Sequence, residues 1–264
     1  ISLYKNIGTQ TDPIFEFIND DFSNLSLLGD LINIQSIHPT FGDLDNDQDI
    51  DMIIGDNNGQ IYYFENNTES SSSNEFPIFS TYESLSIDIG SHATPQLIDL
   101  NRDGLLDLII GERMGIDNGV YNGINYYQNT GSLNNPEFEN YTPEFLSGDF
   151  DENGDAIITK SLGGVHLSDP LYLTGYTAPY IFEYENQYHL AVGTESGLIY
   201  LYNDIETIIE DNSILNLETE YNLITSNMLN VNNCIQSKVA IGDINNDENP
   251  DLIRGNASGG LELF

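Results

Sequence analysis

Three segments of the chain carry oxygen-bearing side chains at alternate positions. They span residues 43–51, 99–107 and 243–251, and each has Asp or Asn at positions 1, 3, 5 and 9. Ca²⁺ takes about six to eight oxygen ligands, and a tight loop with oxygens at alternate positions turns several toward one point. The sequence therefore predicts about three Ca²⁺ sites. Their ligands are Asp43, Asp45, Asp47, Asp49 and Asp51; Asp99, Asn101, Asp103, Leu105 and Asp107; and Asp243, Asn245, Asp247, Asn249 and Asp251.

These segments differ from the helical calcium loop known as the EF-hand. An EF-hand has Glu at position 12, where this chain has Ile54, Ile110 or Arg254. Position 7 is expected to contribute its backbone carbonyl, because Leu105 has no side-chain oxygen. Mg²⁺ is disfavoured, because it demands stricter octahedral geometry. The alternative is a solvated turn, since Asp and Asn favour turns, but three copies in one repeat phase favour a metal.

Two further segments resemble these loops less closely. The segment from Asp149 to Asp155 imitates a loop start, but its position 9 is Ile157, so its metal binding stays open. The unit that follows Pro179 has Glu183 and Glu185 at positions 1 and 3 of a shorter connector. We predict no metal in that unit.

The acidic loops recur within a longer internal repeat. Each repeat has an aliphatic pair, a Gly, three polar residues and a second Gly, followed by an aliphatic-aromatic run. That run begins at equivalent positions of successive repeats, which are residues 1, 61, 124, 199 and 261. Short β-branched and aromatic runs bounded by Gly, Asn, Asp and Ser predict strands. Four strands in a unit of about 60 residues are typical of a propeller blade. A β-sandwich is the alternative, but it would not predict so regular a repeat.

We therefore predict an all-β fold over residues 1–264, a β-propeller with four full repeats plus a duplicated third strand. On this interpretation the chain starts and ends in the middle of a blade. In the second unit the strands are expected near residues 37–42, 50–55, 61–65 and 76–79. Residues 205–217 are expected to hold a fourth strand and its connectors.

The connectors of a four-stranded meander alternate between two faces. The acidic loops join strands one and two, so they share a face with the connectors between strands three and four. The two long insertions, Met114–Gly123 and residues 149–176, then lie on the opposite face. Aromatic and polar side chains there suit a glycan or a protein surface. The candidate contacts are Arg113, Tyr121, Tyr172 and Tyr176, and the alternative is that the insertions are only long loops.

Composition and motifs exclude several classes of function. The chain has 43 Asp+Glu against 6 Lys+Arg, a formal net charge of −37. This charge disfavours nucleic acid and anionic membranes as partners, and no apolar run is long enough to insert into a membrane. The four histidines share no motif, and neither a phosphate-binding loop nor a nucleophile elbow is present. We therefore expect a protein that is not an enzyme.

The motifs Phe41-Gly42-Asp43 and Asp51-Met52-Ile53-Ile54-Gly55 resemble the FG-GAP/VCBS repeat family, which includes the integrin α-chain propeller. The resemblance implies calcium loops in a propeller. Gln48 and Glu248 depart from it, since the family has Gly at position 6. Residues 162–179 and 255–261 are similar to Bacteroidota surface proteins exported by type IX secretion. That similarity implies a seven-bladed ring, an exported bacterial protein at the cell surface, and continuation into further blades and a C-terminal sorting domain.

The expected function follows from these points. We expect a non-catalytic, calcium-binding module of a secreted or cell-surface protein, used for adhesion or for binding a protein or glycan partner opposite the calcium loops. The propeller domain of a secreted carbohydrate-active enzyme is the competing interpretation. A purely structural stalk is the third.

Overall fold

The computed structural model describes residues 1–26, 35–68, 76–77, 79, 81–114, 123–142, 161–167, 175–205, 209–210, 214–215, 221–229 and 235–264. Nearly all of the regular structure is β. The strands are β1 Leu3–Asn6, β2 Phe15–Asn19, β3 His38–Gly42, β4 Asp51–Gly55, β5 Gln60–Phe64, β6 Glu83–Asp88, β7 Thr94–Ile98, β8 Asp107–Gly111, β9 Ile124–Asn129, β10 Phe138–Asn140, β11 Ala178–Tyr184, β12 Gln187–Gly193, β13 Ile199–Asn203, β14 Ile209–Glu210, β15 Ile214–Leu215, β16 Asn222–Thr225, β17 Lys238–Gly242, β18 Asp251–Gly255 and β19 Leu261–Leu263. Two 3₁₀ turns lie at Phe22–Asn24 and Leu162–Gly164.

Four antiparallel sheets form the blades of a β-propeller. Blade 1 is β3-β4-β5-β6, blade 2 is β7-β8-β9-β10, blade 3 is β11-β12-β13-β16 and blade 4 is β17-β18-β19. The first strand of each blade lies innermost, because β3 contacts β7, β7 contacts β11 and β11 contacts β17. The prediction of an all-β propeller built from four-stranded blades is confirmed; blades 1 to 3 have four strands each, and three strands of blade 4 are described.

Apolar residues lie between consecutive blades. The second strand of blade 1 reads Asp-Met-Ile-Ile-Gly and is buried at every position. Ile53 and Ile61 of blade 1 join a cluster with Leu97 and Leu108 of blade 2, and similar clusters join blade 2 to blade 3 and blade 3 to blade 4. Complete burial of such a side chain stabilises the fold by about 1.5–3 kcal/mol. The blades therefore hold one another in place.

A glycine at the end of the second strand marks each junction between blades. A Cβ on Gly111 would lie 2.2 Å from the carbonyl oxygen of Thr177, at the entry to blade 3. Gly55 meets the carbonyl of Ala93 in the same way, at 2.5 Å. The following residues close the junction, since Thr177 N donates to the Glu112 carbonyl at 3.0 Å. A side chain at these glycines would push the blades apart, which explains why the repeat places glycine there.

The hairpin between the first two strands ends in one of two ways. In blades 1, 2 and 4 the last paired residues are Gly42–Asp51, Ile98–Asp107 and Gly242–Asp251, so an acidic loop closes each hairpin. In blade 3 pairing continues to Tyr184–Gln187. The two residues between them, Glu185 and Asn186, have left-handed φ values of 52° and 61°. Blade 3 therefore has a two-residue turn where the other blades have eight residues between the last paired positions.

The predicted positions of the fourth strand are wrong in blades 1 and 3. In blade 1 the fourth strand is Glu83–Asp88, whereas residues 76–79 were expected. Phe79 is instead buried in a cluster with Phe22 and Phe64, so burial accounts for its aromatic character. In blade 3 the fourth strand is β16, whereas β14 and β15 within residues 205–217 pair only with each other.

The first two strands form a separate hairpin beside blade 4. Gln10 Nε2 in its turn donates to Asn246 Oδ1 in the acidic loop of that blade, at 3.0 Å. A groove of about 880 Å³ lies between the hairpin and β19. Within the described ranges, the structure contains no helix with the length and apolar character needed to cross a bilayer.

Candidate functional site

The three acidic loops share one backbone conformation. Positions 4 and 6 have left-handed φ values in every copy: Asn46 60° and Gln48 74°, Arg102 58° and Gly104 90°, Asn246 60° and Glu248 69°. Glycine adopts such values without strain and Asn tolerates them, whereas longer side chains do not favour them. Gln48 and Glu248, where the sequence departs from the family pattern, therefore keep the loop geometry at a conformational cost.

Carboxylates and backbone N–H groups shape each loop from within. The position 1 carboxylate Asp99 accepts from Asp103 N at 3.0 Å and from Gly104 N at 2.9 Å. Asp243 accepts from Asp247 N and Glu248 N in the same arrangement, at 3.1 and 2.9 Å. The position 5 carboxylate accepts from position 7, as in the bond from Leu105 N to Asp103 Oδ1 at 2.8 Å. These bonds fold the loop inward.

The aspartate at position 9 has a structural role that the sequence did not indicate. Asp107 is fully buried and accepts from Leu100 N at 3.1 Å, Asn129 N at 2.9 Å and the Tyr126 hydroxyl at 2.9 Å. Asp51 is bonded in the same way in blade 1. Burial raises the pKa of Asp107 to about 6, although these hydrogen bonds oppose the shift. The carboxylate thus ties the loop to the end of the third strand.

The loop of blade 1 brings three carboxylates together. Oxygens of Asp43, Asp45 and Asp51 all lie within 4.8 Å of one another, an arrangement that could hold a metal ion. Asp43 Oδ1 is buried, and no described residue donates a hydrogen bond to it. Burial raises the pKa of Asp45, and the nearby Asp47 and Asp43 raise it further. A cation at this point would satisfy the buried oxygen and relieve the repulsion, so the donor set fits Ca²⁺.

The other two loops have fewer carboxylates at the same point. Position 3 is an amide in both, and Asn101 Nδ2 donates to Asp103 Oδ2 at 2.8 Å. In blade 4 the buried Asn245 Oδ1 accepts from none of the described residues. Among the described residues, only the loop of blade 1 therefore brings together three carboxylates that could hold a metal ion. The position 5 residues Asp47, Asp103 and Asp247 are exposed.

Two of the four candidate ligand contacts, Arg113 and Tyr176, lie among the described residues. Arg113 Nε and Nη2 bind the Glu195 carboxylate at 3.0 and 3.3 Å, and the Arg113 side chain is about one-third exposed. Tyr176 is buried, with its ring centroid 5.7 Å from that of His92. Tyr121 and Tyr172 lie outside the described residues, as does the segment from Asp149 to Asp155.

Sequence reasoning did not identify His38, His92 and Lys238 as members of a site. All three lie near the propeller axis on the face opposite the acidic loops, beside Tyr176. The structure shows a repeated feature near these residues, since each innermost strand is preceded, two positions before it begins, by a residue with left-handed φ. These residues are Ser36, His92, Tyr176 and Gln236, with φ between 48° and 55°. A backbone angle is visible only in the folded chain, so no sequence signal would have found the group.

A groove also opens between blades 3 and 4, beside the acidic loop of blade 4. Its volume is about 500 Å³, and its walls include Tyr180, Phe182, Tyr184 and Tyr188. Glu183 at its edge pairs with Arg102 of blade 2 at 3.2 Å. Aromatic rings with a few polar groups are typical of small-ligand sites.

A comparison with protein families matches part of the chain. A family model described as an FG-GAP-like repeat matches residues 43–110, which include the acidic loops of blades 1 and 2. No curated protein sequence matches the chain. Among solved structures, the chain is similar to an Agrocybe aegerita lectin described as recognising non-reducing terminal N-acetylglucosamine, at 15% identity and a TM-score of 0.40. The match covers 86% of this chain and 48% of the lectin, so the chain spans about half the length of that relative.

Proposed function

We propose that this chain is a non-catalytic, calcium-dependent binding module that holds a protein or glycan partner on the face opposite the acidic loops. The observation that carries the proposal is the left-handed φ that positions 4 and 6 share in all three loops, two of which lie in the FG-GAP-like match. All fifteen residues at positions 1, 3, 5, 7 and 9 are proposed ligands, position 7 through its carbonyl. Calcium would link the loops to the blade hairpins and neutralise part of the charge of −37.

The proposed location is outside the cell. Extracellular calcium modules bind with dissociation constants of about 10⁻⁴–10⁻³ M, a range suited to loops as exposed as these. We extend the proposal to an exported bacterial protein of the Bacteroidota type, delivered by type IX secretion and with seven blades in its complete ring. Fractionation of the source cells checks the location. Recovery from the cytoplasm alone would contradict export.

A binding assay in two buffers tests the function. The purified chain is applied to a glycan array and to a panel of extracellular proteins, in 2 mM Ca²⁺ and in EGTA at about the same ionic strength. We expect a ligand that is retained in Ca²⁺ and lost in EGTA. Deletion of residues 116–122, on the proposed binding face, should weaken that binding and leave calcium binding unchanged. Binding that is indifferent to both changes would contradict the proposal.

The groove between blades 3 and 4 supports a second candidate, the propeller domain of a carbohydrate-active enzyme. Its aromatic walls would suit sugar rings, and Glu183 and Glu248 lie along it. The test is release of reducing ends from polysaccharides by the wild type and by Glu183→Gln. Release by the wild type that the substitution abolishes would support an enzyme.

A further inference from the structure

Basic side chains are concentrated at one place in this acidic chain. The sequence contains six Lys+Arg and four His. Four of these ten side chains meet at the propeller axis, on the face opposite the acidic loops: His38, His92, Arg113 and Lys238. Each is partly exposed to solvent. A formal charge of −37 makes such a convergence unexpected without a local function.

Direct contacts join the members of this axial cluster. Lys238 Nζ lies against the His38 ring, 2.6 Å from Nε2, and 5.4 Å from the centroid of the Tyr176 ring. The Tyr176 hydroxyl lies 3.5 Å from the same His38 nitrogen. The His92 ring meets Tyr176 edge-on at 5.7 Å. His38, His92 and Lys238, together with the Tyr176 that they surround, come from the entries to the four blades, so only the assembled propeller brings them together.

The charges in the axial cluster are unevenly balanced. Arg113 is neutralised by Glu195, which also accepts from Gln236 Nε2 at 3.0 Å. Lys238 takes part in none of the ion pairs among the described residues. Burial lowers the pKa of Lys238 to about 7. Within the part of the chain that the structure describes, this ammonium group therefore pairs with no carboxylate.

Unsatisfied polar atoms lie beside the same cluster. Asn57 Oδ1, Ser91 Oγ and His92 Nδ1 are buried, and none has a hydrogen-bond partner among the described residues. Their backbones are adjacent, because His92 N donates to the Asn57 carbonyl at 3.2 Å. A buried polar atom without a partner is unfavourable by about 1–3 kcal/mol. Three together indicate a place where a polar ligand completes the bonding.

We infer that the axial cluster binds the carboxylate of an anionic ligand, with Lys238 as its charged contact and His38 and His92 as hydrogen-bond donors. This inference rests on the proposed binding function and specifies the chemistry of the ligand. One available cation beside two imidazoles matches a monoanion. A phosphate dianion would bring a second charge into a strongly negative molecule, and Arg113 is already paired. The neutral hydroxyls of the ligand would meet the buried polar atoms.

Titration with small carboxylates tests the inference. The probes are D-glucuronate and N-acetylglutamate, each with its neutral analogue, glucose and N-acetylglutamine, in saturating Ca²⁺ at constant ionic strength. Histidine side-chain NMR is the readout. We expect saturable shifts at His38 and His92 with a carboxylate, and no shift at His189, which stacks on Phe182 in blade 3. The carboxylate that binds more tightly identifies the source as an acidic sugar or an acidic amino acid.

Two variants complete the experiment. Lys238→Met keeps the length of the side chain and removes its charge, so we expect affinity for the carboxylate to fall about tenfold or more. Arg102→Met is the matched control, because Arg102 is an exposed cation in the acidic loop of blade 2. It should leave affinity unchanged. No saturable shift at His38 and His92, an equal response to the neutral analogues, or undiminished binding by Lys238→Met would overturn the inference.

The calcium titration separates this inference from the proposed function. Lys238→Met should bind as much Ca²⁺ as the wild type, because Lys238 lies at the opposite end of its strand from the acidic loop. Failure of carboxylate binding would therefore leave the calcium claim intact. Failure of calcium binding would show in both proteins and would count against the proposed function alone.

Discussion

Asp107→Asn is the substitution that most clearly separates hairpin stabilisation from metal binding. The carboxylate accepts three hydrogen bonds, from Leu100 N, Asn129 N and the Tyr126 hydroxyl, and is fully buried. An amide in its place has one oxygen and presents an NH₂ group to at least one of these donors. Each buried donor that loses its acceptor destabilises the fold by about 1–3 kcal/mol.

The neutral amide also removes the free-energy penalty of burying a charged carboxylate. Burial raises the pKa of Asp107 to about 6, so at pH 7.5 the carboxylate stays mostly ionised but is less favourable in the folded protein than in the unfolded chain. Asparagine does not carry this penalty, which offsets part of the loss. We expect the free energy of unfolding to fall by about 2 kcal/mol in EGTA. Urea denaturation followed by circular dichroism measures it.

Asp103→Asn is the matched control within the same loop. Asp103 is exposed, and the amide oxygen can keep the 2.8 Å bond from Leu105 N. We expect a change within about 0.5 kcal/mol in EGTA, and the loss of one calcium site in Ca²⁺. The reasoning is refuted if Asp107→Asn matches the wild type in EGTA. It is also refuted if Asp103→Asn is equally destabilised in both buffers.

Three further predictions concern backbone strain, blade packing and charge. Gln48→Gly should raise the free energy of unfolding by about 0.5 kcal/mol and Gly104→Ala should lower it by about 1 kcal/mol, because both positions have left-handed φ. Urea denaturation measures both changes, and a loss with Gln48→Gly or a gain with Gly104→Ala would count against strain in the loop. Gly111→Ala should lower the free energy of unfolding by about 3 kcal/mol, and the melting temperature with it, because its Cβ would lie 2.2 Å from the Thr177 carbonyl oxygen. An unchanged melting temperature would disprove this junction. Lys238→Met should stabilise the protein at pH 7, and this gain in the free energy of unfolding should shrink toward pH 10.5. The reason is that, between these pH values, the lysine holds its proton in the unfolded chain but has lost it in the folded protein, where its pKa is lowered, so the wild type becomes more stable as the pH rises. A gain that grows with pH would contradict this prediction.

The blades and the acidic loops could be predicted because their signals are local. An Asp at every second position and a Gly after each aliphatic pair lie within about a dozen residues, and the repeat phase supplies four comparisons. The positions of the fourth strands were harder to predict from the sequence. In blade 1 the aromatic pair around residues 76–79 resembled other fourth strands, whereas the strand that pairs is Glu83–Asp88, through Glu83, Ser84 and Asp88.

The axial cluster could not be predicted from local pattern. His38 and Lys238 are in contact although 200 residues separate them, and only the arrangement of the four blades sets that distance. The role of Asp107 was hidden for a similar reason, since Asn129 N comes from the far end of the third strand. A ligand pattern can be recognised in one loop, but a carboxylate that joins two strands is recognised only after they pair.

Calcium counting with thermal unfolding tests the central claim most directly. Isothermal titration of the chelator-treated chain should give about three Ca²⁺ per chain, and the melting temperature should rise strongly from EGTA to 2 mM Ca²⁺. Asp47→Ala should remove one of the three sites and lower the melting temperature only in Ca²⁺. Absence of binding, with equal melting temperatures in the two buffers, would leave the propeller intact and would contradict calcium as its ligand.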